Sequence, residues 1–121
     1  MRESWLDCSN QARGDHAYAA TYRYRAHAQV AGDHGRAHTL GRGSHAQVAG
    51  DHGHAEASGD SAIACVFGRY SLVRARDGGA IVATWMDEND RIRVLVGYPG
   101  EDGIEPDTWY RAVRGKWQKA E

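Results

Sequence analysis

The chain has 121 residues with 15 basic and 16 acidic side chains, so its formal net charge is −1. This balance excludes a global basic field, and direct binding of nucleic acid is therefore not favoured. The length is that of a single domain. The first residues, MRESWLDCSNQ, contain no apolar run, so we expect neither a signal peptide nor a membrane segment. Cys8 and Cys65 are the only cysteines and form no CxxC pair, which favours reduced thiols in a cytoplasmic protein.

A nine-residue period governs residues 13–84. The eight segments read RGDHAYAAT, YRYRAHAQV, AGDHGRAHT, LGRGSHAQV, AGDHGHAEA, SGDSAIACV, FGRYSLVRA and RDGGAIVAT, with glycine or a substitute at the second position. A fixed short period indicates stacked copies of one supersecondary unit, which is a solenoid. We expect three parts: an N-terminal cap over 1–12, the solenoid over 13–84 and a C-terminal β cap over 85–121.

From position five to position nine of each repeat, small side chains alternate with side chains that are mostly polar. Positions five and seven hold Ala, Gly, Ser or Val, and position nine holds Thr, Val or Ala. Positions six and eight of the first five repeats carry His, Tyr, Arg, Gln and Glu, with one Ala. This period of two predicts strands whose small side chains point inward. The glycine at position two supplies the bend between strands.

A second period is superposed on the first. The string HAQVAGDHG occurs at 27–35 and again at 45–53, and position nine alternates in size between successive repeats. Alternate repeats therefore share an environment, which predicts two nonapeptides, or eighteen residues, per coil. The predicted fold is all-β: a short parallel β-solenoid of about four coils with two facing sheets, roughly 20 Å long at about 4.8 Å per coil.

Large apolar residues enter at the C-terminal end of the repeats. Position six becomes apolar at Ile63, Leu72 and Ile81, and these outward side chains need a cover. The segments AIVATW and RIRVLVG, joined by MDEND, predict a β-hairpin. DTWYRAV and KWQKA, joined by Arg114–Gly115, predict a second hairpin. No segment predicts a helix.

Most histidines recur at matching repeat positions. The eighteen-residue coil stacks His16, His34 and His52 in one column, and His27 and His45 in another. Imidazoles about 4.8 Å apart are ligands of the type that Zn²⁺ and Ni²⁺ prefer, so the first column is the candidate metal site. Duplication of one turn residue produces the same column without a metal, and structural zinc sites converge four ligands, which a column does not do. We therefore predict no cofactor.

Calcium binding and catalysis have little support. Calcium-binding rolls use GGxGxDxUx, whereas this chain has GDHG, without the second glycine and with Asp directly after the first. Cys65 and a histidine would form a nucleophile–base pair, but the histidines all lie earlier along the stack. We expect no enzymatic activity.

Acidic residues are concentrated near the C-terminus. From residue 87 to residue 107, seven acids face two arginines, which leaves a local net charge of −5. These acids are Asp87, Glu88, Asp90, Glu101, Asp102, Glu105 and Asp107. Taken one at a time, each of these acids is explained by a position in a solvent-exposed loop beside the cap strands. As a cluster, the acids predict a surface that fits a basic groove of a partner that normally holds nucleic acid.

The last repeats and the tail resemble a family of bacteriophages and prophages whose members carry SGDxSxAxxS-type nonapeptides before a shared C-terminal domain. The matching parts are SGDSAIACVFGRYSLVRARDGGAIVATW and GIEPDTWYRAV, which resembles the family's IKPDTWY motif with Glu105 where lysine is common. The resemblance covers roughly residues 13–121 and implies a mobile-element protein inside a bacterial host. Small proteins in that setting are often inhibitors of host defence, including anti-CRISPR proteins, an inference by analogy.

We therefore expect a protein that binds a host protein or protein–nucleic-acid complex, foremost a Cascade-type CRISPR effector, as a monomer or small homo-oligomer. A rigid repeat surface lowers the ordering cost of such binding. The predicted partner-binding residues are the seven acids and four outward residues of the repeats, His27, His45, His54 and Arg36, with Tyr18 and Tyr70 among the aromatic anchors. Two alternatives stay open: a phage tail or decoration module, and a solenoid that binds a metal or small ligand through its histidine columns.

Overall fold

The structure is a computed structural model and describes residues 9–22, 24–101 and 103–120. Most of the N-terminal cap predicted for 1–12, and the predicted site residue Asp102, lie outside the described residues. Within the described ranges every regular element is a strand, and none is a helix of the length and apolarity needed to cross a membrane. The strands are β1 (Ser9–Arg13), β2 (Tyr18–Thr21), β3 (His27–Ala31), β4 (Arg36–Thr39), β5 (His45–Ala49), β6 (His54–Ala57), β7 (Ile63–Phe67), β8 (Leu72–Ala75), β9 (Ala80–Met86), β10 (Ile92–Gly97), β11 (Tyr110–Val113) and β12 (Lys116–Lys119).

The first nine strands wind into a solenoid with two parallel sheets. Sheet 1 has the order β1-β3-β5-β7-β9-β10, and sheet 2 has the order β12-β11-β8-β6-β4-β2. Neighbouring strands are in register eighteen residues apart, so that His27 pairs with His45, and Tyr18 with Arg36. The predicted all-β parallel solenoid with two nonapeptides per coil and about four coils is confirmed.

Small side chains fill the space between the sheets. The inward columns contain the buried alanines Ala19, Ala28, Ala37, Ala46, Ala55 and Ala64. A Cβ added to Gly35 would lie 2.3 Å from Val30 Cγ1, and one added to Gly53 would lie 2.4 Å from Val48 Cγ1. Val30 and Val48 therefore occupy the space that a side chain at the following position five would need. This complementarity explains why glycine follows valine at these corners.

Contact between the backbones of successive coils requires glycine at position two. Gly32 and Gly50 have φ values of 141° and 140°. A Cβ on Gly50 would lie 2.3 Å from Gly32 O, which is far inside van der Waals contact. Gly50 N also donates to Phe67 O of the next coil. A side chain here would separate the coils and stretch the hydrogen bonds between the strands of both sheets.

The last coil is displaced by one residue from the predicted register. The turn between β8 and β9, residues 76–79, has four residues where the equivalent turns before β5 and β7 have five. Ala80 therefore pairs with Ile63, and Ile81 points inward and is 1% exposed. The prediction that Ile81 faces outward is wrong, because the shortened turn advances β9 by one residue. Ile63 and Leu72 are half-buried on the outer faces, as predicted.

The C-terminal residues end the stack with antiparallel strands. β10 pairs with β9 and β11 with β12, so both predicted hairpins are confirmed. The β11–β12 turn has φ values of 50° at Arg114 and 81° at Gly115, as a tight two-residue hairpin requires. β11 also bridges to β8 through Tyr110 and Val73, and Trp117 packs against the end of the core.

We expect Gly50→Ala to lower the free energy of unfolding by about 3 kcal/mol or more, because it combines backbone strain with a clash against the coil below. The matched control is Gly78→Ala: Gly78 also has a positive φ, 87°, but nothing lies within 4 Å of an added Cβ. Strain alone should cost the control about 1–2 kcal/mol. Urea unfolding followed by circular dichroism measures both variants. Equal losses would show that the contact between coils is unimportant.

Candidate functional site

The four predicted residues of the repeats lie on two opposite outer faces. Arg36 and His54 are register partners on sheet 2. His27 and His45 are register partners on sheet 1. Since the core separates the two sheets, these residues form two pairs and do not form one site.

His16, His34 and His52 form the predicted column at the corner between the sheets. Their ring centroids are 4.9 Å apart with interplanar angles of 11° and 9°, and Tyr70 continues the stack at 5.1 Å. The three histidines have left-handed φ values between 59° and 62°. Stacked rings present faces to one another, so their nitrogens do not converge on one point. The described part of the chain contains no group of three or more His, Cys, Asp or Glu residues that could hold a metal ion.

The outer face of sheet 1 repeats the same side chains from coil to coil. His27 and His45 stack at 4.9 Å, and Gln11 Nε2 donates to Gln29 Oε1 at 3.2 Å. Burial, together with the neighbouring His27, lowers the pKa of His45. This face therefore presents rows of like groups rather than different groups around one point.

The outer face of sheet 2 carries a groove of about 470 Å³. Its sides are the columns at positions six and eight of the repeats, and Trp109 of the C-terminal loop lies at one end. The lining residues are Tyr18, Arg36, Ala37, His38, His54, Glu56, Leu72 and Trp109. Successive coils here supply different side chains, so a cation, a carboxylate, imidazoles and aromatic rings share one concavity.

Glu56 organises the floor of the groove. Its carboxylate lies 3.3 Å from Arg74 Nε and 3.8 Å from His38 Nε2. Ser58 Oγ lies 3.2 Å from His38 Nε2 and donates to Glu56 at 3.4 Å. The guanidinium of Arg74 also lies over the ring of Trp109, 5.6 Å from its centroid. These contacts hold Trp109 in place and compensate the charge of Glu56.

Arg36 is the cation that the groove leaves without a counter-charge. No described residue forms an ion pair or a side-chain hydrogen bond with its guanidinium. Tyr18 lies beside it in the same column, and His54 on the other side meets Trp109 edge-on at 5.4 Å. Burial, followed by the charge of Arg36, lowers the pKa of His54, which favours its neutral form. The groove thus offers one uncompensated positive charge, that of Arg36, between the rings of Tyr18 and His54.

The acidic residues of the cap fall into two groups at opposite ends of β10. Asp87, Glu88 and Asp90 precede this six-residue strand, whose two ends lie roughly 17 Å apart. The acids after it are Glu101, Asp102, Glu105 and Asp107, of which Asp102 lies outside the described residues. Glu105 Oε1 accepts a hydrogen bond from Lys119 Nζ at 2.7 Å. The six described acids therefore lie in two groups and do not form a single array.

Asp87 is used within its own turn. Its Oδ1 accepts the backbone N–H groups of Asn89 and Arg91, and its Oδ2 binds Arg93 Nε at 2.8 Å. The hydrogen bond from Arg91, followed by the one from Arg93, lowers the pKa of this carboxyl. Asp87 is therefore a structural acid of the β9–β10 turn.

Cys65 lies half-buried on the outer face of sheet 1, between Gln47 and Val82 in the register. Burial raises the pKa of its thiol. Since the thiolate is the nucleophile, this environment does not activate it. No described histidine forms a hydrogen bond with Cys65.

Sequence reasoning missed most of the groove. Counting eighteen residues would have placed His38, Glu56 and Arg74 in one column at position eight, so this signal was present in the sequence. Trp109 had no comparable signal, because it belongs to the C-terminal loop and reaches His54 only through the path of that loop.

Comparison of this chain with family models, with curated proteins and with solved structures finds no match. The resemblance to the phage nonapeptide-repeat family therefore rests on the SGDxSxAxxS and PDTWY motifs. A solenoid does not by itself imply a function, which depends on the side chains that the fold brings together.

We expect acid to destabilise the protein through His54 and His45. Burial lowers both pKa values in the folded state, so the unfolded chain binds protons that the folded protein does not as the pH falls through 6.5. The free energy of unfolding should therefore decrease from about pH 7.5 down to the lowered pKa values and stay reduced below them. Thermal unfolding of the His54→Gln, His45→Gln double variant should show a smaller fall of Tm between about pH 7.5 and 5. Equal slopes for the two proteins would contradict this assignment.

Proposed function

We propose that this protein is a non-enzymatic phage or mobile-element protein that binds a host macromolecule and inhibits host defence, foremost a Cascade-type CRISPR effector in the host cytoplasm. The groove on sheet 2 is the proposed contact surface. The observation that supports it most is the uncompensated charge of Arg36 between Tyr18 and the end closed by Trp109. Arg, Tyr and Trp are the residue types that contribute most to binding free energy at protein interfaces.

The chemistry of the groove favours an acidic or phosphate-bearing contact. A guanidinium binds carboxylate or phosphate through two parallel hydrogen bonds, and the neighbouring rings pack against the apolar part of the same group. Glu56 does not cancel the charge of Arg36, because it is already paired with Arg74. A CRISPR effector offers protein carboxylates and RNA phosphates.

The solenoid holds the groove side chains on paired strands. Tyr18, Arg36, His54 and Leu72 are successive register partners, so about 4.8 Å of sheet spacing separates each from the next. Since the backbone under the site does not need to rearrange, little of the binding free energy is lost to ordering. A preorganised surface of this kind suits a small inhibitor that must compete with a natural ligand.

The acidic loops have a secondary part in this proposal. Asp87 and Glu105 already have partners within the protein. Glu88, Asp90 and Glu101 are exposed and would steer the protein towards a basic surface, which raises the rate of association more than the affinity.

Strand β10 favours a second candidate function, that of a phage structural or decoration module. β10 is the edge of sheet 1, and Ile92, Val94 and Val96 are 70%, 61% and 46% exposed. An open edge that carries apolar side chains is suited to pairing with another chain. Sedimentation distinguishes the two candidates: a stable trimer or a fibre supports the structural module, and a monomer supports the inhibitor.

We expect Arg36→Ala and Trp109→Ala to abolish inhibition. Tagged protein would be used to capture purified CRISPR effector complexes, with plasmid interference measured in cells that express each variant. The wild type should block interference, and each variant should bind at least tenfold more weakly, which corresponds to about 1.4 kcal/mol.

The matched control is Arg42→Ala, an exposed arginine in a turn that does not line the groove. This variant should inhibit as well as the wild type, and thermal unfolding verifies that the variants are folded. Intact interference at saturating expression of the wild type would reject the anti-CRISPR function. An equal loss with Arg42→Ala would reject the groove as the contact surface.

A further inference from the structure

The turns that follow β1, β3, β5 and β7 stack into one corner of the solenoid, where backbone N–H groups connect each turn to the next. In the turn after β3, Gly32 N donates to Ala49 O and His34 N donates to Asp51 O, both at 2.9 Å. The neighbouring turns repeat this pattern: Gly14 N to Ala31 O, His16 N to Asp33 O, Gly50 N to Phe67 O, and His52 N to Arg69 O. Each turn therefore binds two carbonyl oxygens, two residues apart, of the chain that follows it in the stack.

The turn after β7, residues 68–71, is the last in this column, and we name it the open corner. Gly68 and Tyr70 lie eighteen residues after Gly50 and His52, so their N–H groups face away from the stack in the same direction. No described residue accepts a hydrogen bond from either of them. The reason is that β9 reverses into β10 and does not turn a fifth corner.

The cap covers the opposite corner instead. Ala75 O, at the end of β8, accepts the N–H of Asp107 at 2.8 Å. Tyr110 of β11 pairs with Val73 of β8. The cap thus replaces the missing coil over sheet 2, but none of its described residues accepts the N–H groups of the open corner.

A cleft of about 890 Å³ lies over the open corner. Its apolar lining comes from both the last coil and the cap, namely Val66, Phe67, Tyr70, Trp85, Met86, Ile92 and Val113. Arg69, Arg111 and Arg114 add three positive charges. Among the described residues that line the cleft, Asp51 is the single carboxylate, and its Oδ1 already accepts the N–H of Arg69 at 2.9 Å. The cleft is therefore apolar inside and positively charged overall.

We infer that the open corner binds an extended, acidic peptide segment of a partner protein. In each of the three preceding turns the equivalent two donors bind carbonyls of residues i and i+2, a pair of acceptors that an extended peptide backbone supplies. Such binding is strand addition to exposed main-chain groups. Acidic side chains of the segment pair with Arg69 and Arg111, and its apolar side chains pack on Phe67 and Trp85. This surface is separate from the groove and does not depend on the function proposed for it.

A titration of the full-length, ¹⁵N-labelled protein followed by nuclear magnetic resonance tests the inference. The probe is the blocked peptide Val-Ala-Gly-Asp-His-Gly, the sequence that supplies these carbonyls at 30–35 and at 48–53. We expect saturable downfield shifts that are largest at the amide protons of Gly68 and Tyr70, because both become hydrogen-bonded. No saturable shift, or largest shifts in the groove or on β10, would overturn the inference.

Charge variants test the acidic preference. Arg69→Glu and Arg111→Glu should each weaken binding of the peptide about fivefold or more, whereas Arg42→Glu, on another turn, should change it less than twofold. A peptide with lysine in place of aspartate should bind more weakly than the original. Equal binding of both peptides, or an equal loss with Arg42→Glu, contradicts an acidic ligand. Shifts at Gly68 and Tyr70 that grow with protein concentration alone would identify a second copy of this chain as the occupant and overturn the assignment to a partner.

Discussion

Contact between glycine backbones at successive corners sets the geometry on which the rest of this protein depends. A Cβ on Gly32 would lie 2.2 Å from Gly14 O, and one on Gly68 would lie 2.1 Å from Gly50 O. At the corner formed by Gly14, Gly32, Gly50 and Gly68, the coils reach the spacing of a parallel ladder only because position two lacks a side chain. This contact fixes the eighteen-residue register, and the register places residues of equal repeat position directly above one another. The columns on the outer faces are therefore a consequence of corner geometry, and they would form without any attraction between the side chains.

Columns of like groups and columns of unlike groups have different chemistry. Ionisable groups about 4.9 Å apart disfavour one another's charge, as the effect of His27 on His45 illustrates. Where the repeats are identical, as on sheet 1, the outer face therefore carries rows of like side chains whose neutral forms are favoured. On sheet 2 the repeats have diverged, so Arg36 stands beside His54 and a carboxylate pairs with the arginine of the next coil. The side chains suited to binding a partner therefore lie at positions where the repeats differ, whereas the fold depends on the positions where the repeats are the same.

The period predicted the coils and the inward alanines, because both depend on spacing along the chain, and the apolar segments joined by short turns predicted both hairpins. The advance of β9 by one residue was not predicted, since the nine-residue count runs through RDGG without a gap and only the four-residue turn at 76–79 shortens the coil. Ile81 points inward for that reason alone. The positions of Arg36 and His54 follow from the period, whereas that of Trp109 does not, because no periodicity encodes the path of the C-terminal loop. The acids of the cap are close in sequence, but the length of β10 separates them in space.

A stack of parallel strands cannot end without leaving main-chain groups that have no neighbour. Here sheet 1 ends by reversal of β9 into β10, and sheet 2 ends where β11 bridges to β8. Both arrangements cover strands, and the turn at 68–71 is not a strand, so neither arrangement covers it. The loop before β11 supplies a donor to Ala75 at the opposite corner, and a single chain leaving the last coil passes over only one corner. That Gly68 N and Tyr70 N find no acceptor among the described residues thus results from the way in which the solenoid is closed. The cap that prevents further stacking is also what leaves one corner able to bind an extended chain.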